Sequence, residues 1–298
     1  MRMPEEREEQ LRERLALLAE AEISRNTDGP HGPLYHYTGA EGALGIASSG
    51  EIWATDSEYL NDPSEIFYGR DLIRSVWRDF KRSKKESSAV EDVIDSMTSV
   101  LCEKWAFTTY LTCFSKRQND LSQWRAYSDS GTGYSLGFDS ARLIANAGAF
   151  HLLQVEYHLE RQQERISSFF RSLATIEEDL PDTSARYICE CMEEVLLTFI
   201  VSFKNQAYSE EEEWRLVNLH SNGTLAPGLE FRATNGRIVP HVAVAAREGD
   251  KPLLPLVSVT VGPGATRGAV KSMEQALTKF GYSADAVDVI SSNIPFRS

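Results

Sequence analysis

The sequence predicts an α+β fold built on a mainly antiparallel sheet. Short β-prone segments are interspersed with helical segments of uneven length, and no regular alternation of strand and helix indicates a doubly wound parallel sheet. Asn235-Gly236 lies between two such segments and is a strong signal for a β-hairpin. The 298 residues are enough for one large domain or two small ones.

The N-terminal segment is predicted to be an amphipathic helix. Residues 4–23 are rich in Glu, Arg, Leu and Ala, with Leu11, Leu15 and Leu18 at helical spacing. We assign residues 1–29 to this helix and a linker, and residues 30–298 to a single α+β domain. The helix is either a brace that packs on the domain or an arm for homodimerisation or for docking to a partner.

The remaining elements are predicted from hydrophobic periodicity and β-propensity, and their ends from Gly, Pro and Asn-Asp turns. Strands are expected at 35–38, 52–55, 108–114, 134–138, 152–158, 213–217, 231–233, 237–242, 255–261 and 286–290. Helices are expected at 41–49, 64–85, 89–104, 121–127, 271–280 and in a helical insertion at about 161–203, which is interrupted near 181–183.

Composition and charge restrict the classes of function. The formal net charge is −13 and the hydrophobic content is 42%. An acidic chain of this kind does not predict a broad nucleic-acid surface, although it allows a small basic pocket for a nucleotide. No apolar run approaches the ~20 residues that span a bilayer, and residues 1–10 lack the apolar core of a secretory signal. We therefore expect a cytoplasmic protein without a membrane partner.

No short motif in the sequence predicts a metal or phosphate site. The four cysteines, at 102, 113, 189 and 191, form no C-x-x-C pair, so we expect reduced thiols and no metal centre. The chain has no P-loop, no G-x-G-x-x-G after a strand, no H-E-x-x-H and no G-x-S-x-G.

The segment from 34 to 65 combines polar and aromatic groups at the ends of predicted elements. His36 could hydrogen-bond a ribose hydroxyl or act as an acid or base, or it could be a structural histidine bonded to backbone. Asn61, Asp62 and Glu65 could hold a ligand or a cation, or they could form an Asx turn that caps the next helix.

A second group of polar side chains follows the strand that ends at Ser115. An aromatic ring beside a guanidinium, as in Trp124-Arg125, suits stacking on a base and pairing with phosphate. Ser122, Gln123 and Tyr127 lie within about one turn of the same short helix. The alternative is a core tryptophan with a surface arginine.

Glu213-Trp214-Arg215 is the most informative late feature. In a strand, Glu213 and Arg215 point to one face and Trp214 to the other. A carboxylate held by an arginine can orient a sugar hydroxyl or stabilise an oxocarbenium-like centre. The run 210–213 as a whole is typical of a solvated acidic turn, so we choose Glu213 because it belongs to the strand, with Glu211 in reserve.

Eight motifs, in order, resemble a bacterial family known as a domain of unknown function, and the resemblance spans about 34–297. They are HYT at 36–38, LNDPSE at 60–65, CFS at 113–115, LSQWRAY at 121–127, GFD at 137–139, EEEWRL at 211–216, VGP at 261–263 and IPFR at 294–297.

A more distant resemblance is to the ADP-ribosyltransferase superfamily, in its histidine-tyrosine-glutamate branch. That resemblance implies a split antiparallel sheet with helical insertions, and NAD as the substrate. Tyr37 directly follows His36, so it departs from the second-strand tyrosine of the branch, and Tyr59 is a poor substitute. The implied catalytic residues are Glu213, His36 and Glu211, and the implied cofactor-binding residues are Tyr37, Thr38, Asn61, Ser115, Ser122, Gln123, Trp124, Arg125, Tyr127 and Arg215.

The resemblance therefore implies ADP-ribosyl transfer from NAD, or NAD cleavage, in a bacterial setting such as phage defence or a toxin-like effector. The acceptor is not specified. Three alternatives stay open: a non-catalytic nucleotide-binding sensor, a metal-dependent nuclease or hydrolase using Asp62, Glu65 and Glu213, and a structural protein that docks through its N-terminal helix.

Overall fold

The computed structural model describes most of the chain. The described residues are 4–24, 29–30, 32–60, 64–82, 89–103, 107–175, 184–221, 225–234, 236–245 and 253–296. The predicted site residue Asn61, its neighbour Asp62, the helix interruption near 181–183 and Asn235 of the predicted hairpin lie outside them.

The elements follow the predicted order closely. The strands are β1 Leu34–Thr38, β2 Glu51–Asp56, β3 Phe107–Ser115, β4 Tyr134–Phe138, β5 His151–Gln154, β6 Glu213–Ser221, β7 Leu229–Thr234, β8 Arg237–Ala245, β9 Leu256–Val261 and β10 Asp288–Ser291. The helices are α1 Pro4–Ser24, α2 Ala40–Ser49, α3 Ser64–Arg82, α4 Ala89–Glu103, α5 Leu121–Tyr127, α6 Ser140–Ala145, α7 Leu159–Ala174, α8 Ser184–Ser202 and α9 Ala269–Phe280.

These strands form one open, mainly antiparallel sheet. Its main path runs β10-β9-β4-β1-β3-β2-β8-β7, with β6 and β5 added beside β3. The β9–β10 pair is parallel and the other pairs are antiparallel. The predicted α+β class is confirmed.

The sheet divides at β3. One edge of β3 pairs with β6 along its full length, from Phe107↔Ser221 to Ser115↔Glu213. The other edge meets β1 at its C-terminal end and β2 near Tyr110 and Leu111. Residues 112–114 have no strand partner on this edge among the described strands. The chain therefore leaves a gap between β1 and β2, and the middle of β3 lies at the back of this gap.

Two apolar cores cover the two faces of the sheet. The larger core joins α1, α3, α4, α7 and α8 to Leu111, Leu153 and Val217. The smaller core, which includes Phe114 and Trp214, packs α2 and α9 on the other face. The helical insertion predicted at 161–203 is thus the main cover of one face of the sheet.

The N-terminal helix packs as a brace. Leu15, Ala19 and Ile23 of α1 are buried in the larger core, and the thiol of Cys191 in α8 donates to the Leu15 carbonyl. Docking of the outer face of α1 to a partner stays a prediction. Within the described residues, no helix combines the length and apolar character needed to cross a membrane.

Two local predictions needed correction. The strand predicted at 152–158 ends at Gln154, because the chain turns away from β6 and Glu156 bridges to Phe203 at the end of α8. Helix α6 was not predicted. Asp139 caps it through a bond that its side chain accepts from the Arg142 N–H.

Candidate functional site

A cavity of about 610 Å³ opens where the sheet divides. Its walls come from β1, β2, β3, α5 and β6, together with side chains from the start of α3 and the end of α8. The lining residues used below are Tyr35, His36, Tyr37, Thr38, Trp53, Thr55, Tyr59, Glu65, Cys113, Phe114, Ser115, Gln123, Arg125, Tyr127, Lys204, Glu211, Glu213, Arg215 and Arg232.

A charged cluster of three carboxylates and two cations lies against this cavity. Lys204 Nζ lies 2.8 Å from Glu65 Oε1, 2.5 Å from Glu211 Oε2 and 3.1 Å from Glu213 Oε2. Arg215 binds Glu213 through Nε at 2.8 Å and Nη2 at 2.9 Å, and its Nη2 lies 2.5 Å from Glu65 Oε2. The five groups therefore form one buried network with a single excess negative charge.

Strand alternation explains how the local sequence builds half of this cluster. Glu213 and Arg215 share a face of β6, opposite Ser115 and Cys113 of β3. The Glu213 N–H donates to the Tyr157 hydroxyl at 3.0 Å, which ties the start of β6 to the segment after β5. This registry directs both side chains toward the helical face, where Lys204 and Glu65 meet them.

The Glu213 carboxylate is ionised at neutral pH. Burial would raise its pKa, but the positive charges of Arg215 and Lys204 and the hydrogen bonds from Arg215 prevail and lower the pKa to about 2. Both of its oxygens bond to these cations. Glu213 is therefore an anchor for the two cations and a poor proton acceptor.

Glu211 has the opposite electrostatic character. Burial raises the pKa of its carboxyl, the Lys204 charge opposes that rise, and the nearby Glu213 and Glu65 add to it. Its Oε1 faces the Tyr127 hydroxyl at 3.5 Å, at the outer limit of a hydrogen bond. Among the three carboxylates of the cluster, Glu211 is the one with an oxygen that neither Lys204 nor Arg215 binds.

The backbone of Glu211 is fixed from β3. The Ser115 hydroxyl donates to the Glu211 carbonyl at 2.7 Å and accepts from the Arg117 N–H at 3.0 Å. The next residue, Glu212, has a left-handed φ of 44° and ends the short 3-10 helix Gln206–Glu211. Ser115 therefore fixes the position of Glu211, the second candidate for the catalytic carboxylate.

His36 lies on β1, which pairs with the edge of β3 opposite to β6. Its Nδ1–H donates to the Cys113 carbonyl at 2.9 Å, on the edge of β3 that no strand covers. Burial lowers its pKa and the bond to Cys113 opposes this shift, so the ring is neutral at neutral pH. With Nδ1 donating, Nε2 is an acceptor. The predicted bond of a structural histidine to backbone is present, and the ring also lines the cavity, where its role toward a ligand stays a prediction.

Tyr37 and Trp124 organise the loop between β3 and α5. The Tyr37 hydroxyl donates to the Arg117 carbonyl at 2.6 Å and accepts from the Asp120 N–H at 3.1 Å. The rings of Tyr37 and Trp124 meet edge to face, with centroids 4.9 Å apart. Asp120 caps α5 by accepting from the N–H groups of Ser122 and Gln123.

The structure brings most of the predicted site residues to one cavity, and corrects two. Trp124 is 0% exposed and its Nε1–H donates to Asn119, so its ring cannot stack on a ligand. The Ser122 hydroxyl bonds to the Asp120 carboxylate and does not line the cavity. The predicted residues that do line it are His36, Tyr37, Thr38, Ser115, Gln123, Arg125, Tyr127, Glu211, Glu213 and Arg215.

Sequence reasoning missed Lys204 altogether. It follows the apolar end of α8, and a lysine in that place normally complements a helix dipole at the surface. Only 2% of Lys204 is exposed. The segment after the helix is buried against the sheet, where Glu211 and Glu213 from the next elements meet the distant Glu65. No local signal identifies such a residue.

The comparisons with known proteins concern the middle of the chain. A family model described as "Protein of unknown function (DUF2971)" matches residues 123–216. The match begins inside α5 and ends in β6, so it contains Tyr127, Lys204, Glu211 and Glu213 but not His36. It supports a domain of unknown function. Neither the curated proteins nor the solved structures contain a significant match to this chain.

The metal-dependent alternative finds little support in the cluster. Among the described residues, no group of three His, Cys, Asp or Glu side chains is arranged to hold a metal ion. Glu65 and Glu213, two of the carboxylates invoked for that alternative, are already bound by Lys204 and Arg215. A divalent cation would have to displace one of these buried cations.

Proposed function

We propose that this protein binds NAD in the cavity and cleaves its bond between nicotinamide and ribose, passing ADP-ribose to an acceptor or to water. The observation that carries this proposal is that His36 and the carboxylates of Glu211 and Glu213, which are far apart in sequence, line one cavity. A bacterial toxin-like or phage-defence setting belongs to the proposal through the motif resemblance alone.

The dimensions of the cavity suit a nucleotide. Its volume of about 610 Å³ lies inside the range of ~300–1,000 Å³ of small-molecule sites. Its wall combines exposed aromatic groups, such as Tyr127 at 37% exposure, with charged and amide side chains. This is the mixture that orients a planar base and a phosphate together.

The chemistry divides between two carboxylates. When the C1′–N bond breaks, its electron pair leaves with nicotinamide and positive charge develops on the ribose ring. Glu211 accepts a hydrogen bond from a ribose hydroxyl or takes the proton of the acceptor, because its pKa is raised and its Oε1 has only a long contact of 3.5 Å with the Tyr127 hydroxyl. Glu213 keeps Lys204 and Arg215 in place, so that Glu211 retains its orientation.

Two further groups orient the substrate. Neutral His36 offers Nε2 as an acceptor for a ribose hydroxyl, since Nδ1 is engaged with the Cys113 carbonyl. The exposed face of Tyr127 stacks on nicotinamide, and Arg125 meets the pyrophosphate from the same helix. Of the two aromatic residues of α5 that could stack on a ligand, Tyr127 and Trp124, this proposal uses Tyr127, because Trp124 is buried.

The decisive experiment measures release of nicotinamide from NAD by the full chain. We expect release by the wild type and a loss of about 100-fold or more in Glu211→Gln, the size of a general acid–base contribution. Glu210→Gln is the matched control, because Glu210 is exposed and lies outside the cavity. Equal rates in these two variants would contradict the role of Glu211. NAD binding without release in the wild type would indicate a sensor.

A further inference from the structure

The cavity does not end at the charged cluster. It continues past β2 toward the β7–β8 hairpin, where Trp53, Thr55 and Arg232 complete its wall. Trp53 is 45% exposed, an unusual position for an indole in the middle of a sheet. The proposed chemistry uses none of these three residues.

Three strands bring these side chains to one face. Trp53 pairs with Ala243 and Thr55 with His241 in the β2–β8 ladder, and Arg232 pairs with Val239 in the β7–β8 ladder. The His241 ring packs against the indole, with centroids 4.4 Å apart, and is only 2% exposed. The indole is therefore supported by the protein and partly open to the cavity.

The guanidinium of Arg232 lies over this ring and is fixed by a bond to Thr55. Its Cζ lies 5.4 Å from the centroid of Trp53, and its Nη2 donates to Thr55 Oγ1 at 2.9 Å. No carboxylate of the described residues forms a salt bridge with Arg232, and burial lowers its pKa. An arginine that is half-buried and has no counter-ion among the described residues is suited to bind an anion, even in a chain of net charge −13.

An exposed aromatic face beside an unpaired guanidinium recognises a base and a phosphate together. We propose that Trp53 and Arg232, with Thr55, form a subsite for the adenylate half of a dinucleotide: the adenine stacks on Trp53 and a phosphate pairs with Arg232. This inference rests on the proposed function only for the identity of the other half of the dinucleotide. That half would extend toward Glu211 and His36 in the same cavity.

Binding of AMP to the full chain tests the subsite directly, because AMP lacks the bond that is cleaved. Titration calorimetry should give an affinity that falls about 10-fold or more in Trp53→Ala and in Arg232→Gln, the scale of one lost stacking or phosphate contact. Trp53→Phe should retain most of the affinity, since it keeps an aromatic face.

Two controls come from the same hairpin. Arg237→Gln removes an exposed arginine, and Phe231→Ala removes a 61% exposed ring; neither residue lines the cavity. Both variants should bind AMP normally. Thermal unfolding checks that Trp53→Ala is folded. Arg232→Gln tests the same subsite without removing an aromatic ring.

The outcomes separate this inference from the proposed function. AMP binding that depends on Trp53 and Arg232, without any nicotinamide release, would support the subsite and contradict the NAD chemistry. Nicotinamide release with the same KM for NAD in the wild type, Trp53→Ala and Arg232→Gln would contradict the subsite and leave the chemistry standing. Absence of AMP binding to the wild type would also overturn the subsite.

Discussion

Lys204 Nζ lies 2.5 Å from Glu211 Oε2, and this contact joins the end of the helical layer to the entry of β6. The same ammonium also contacts Glu65 and Glu213. Burial lowers the pKa of Lys204, but Glu213 and the other carboxylates outweigh this effect and raise it, so the ammonium stays charged. One cation missed by sequence reasoning thus orients the carboxylate that we propose to be reactive.

Replacing this cation should damage both stability and activity. Lys204→Met keeps the aliphatic stem but leaves three carboxylates with Arg215 alone, and breaking such a buried pair costs about 3–5 kcal/mol. The pH at which activity is half-maximal on the acidic side should rise, because Glu211 loses its nearest positive charge. Urea unfolding and a pH–rate profile measure the two effects. An unchanged profile in a folded variant would contradict the positioning role.

Glu213 should make the stability of the protein depend on acid. Its folded-state pKa is about 2 against an ordinary value of 4.5, so its contribution is fully present above about pH 4.5 and is lost as the pH falls toward 2. The shift corresponds to roughly 3 kcal/mol at neutral pH. The pKa of Glu211 shifts in the opposite direction, so the wild type alone does not isolate the effect of Glu213. The test therefore compares free energies of unfolding: the difference between the wild type and Glu213→Gln should become smaller as the pH falls over this range. A gap that is constant with pH would refute it.

His36 should be neutral, with the proton on Nδ1. Nitrogen-detected NMR of the ring should report the Nδ1–H tautomer at neutral pH and a pKa below 6.5. His36→Asn places an amide donor near Nδ1 and should keep the bond to the Cys113 carbonyl, so we expect a folded protein with weakened NAD turnover. His36→Gln places its amide nearer Nε2 and should be the less stable of the two. The reverse order of stability would be inconsistent with this arrangement.

Trp124 should behave as a core residue. Trp124→Ala removes a fully buried ring that contacts Tyr37, and a cost of about 3–5 kcal/mol in the free energy of unfolding is expected. Trp124→Phe keeps most of the packing and loses the bond to Asn119, which costs about 1 kcal/mol. Denaturant unfolding measures both. A fall in nucleotide affinity at full stability would instead restore the stacking role.

The local sequence was sufficient for the elements that carry strong periodic or turn signals. The helix at 121–127 and the strand at 134–138 were placed with their observed bounds, and the strand pattern at 213–215 correctly put Glu213 and Arg215 on one face. The short strand that carries His36 was predicted, but the sequence left open whether this ring serves a ligand or the backbone. These features depend on residues that are neighbours in the chain, so they can be predicted from the local sequence.

What the sequence determined by itself was therefore the α+β class, the order of elements and most of the polar groups available to a site. The tertiary structure alone decided that β1 and β2 part along β3, that Lys204 meets three glutamates, and that neither cation binds Oε1 of Glu211, whereas both oxygens of Glu213 are bound. The physical reason is that burial and charge pairing set the chemistry of a carboxylate, and both depend on how the segments pack in three dimensions.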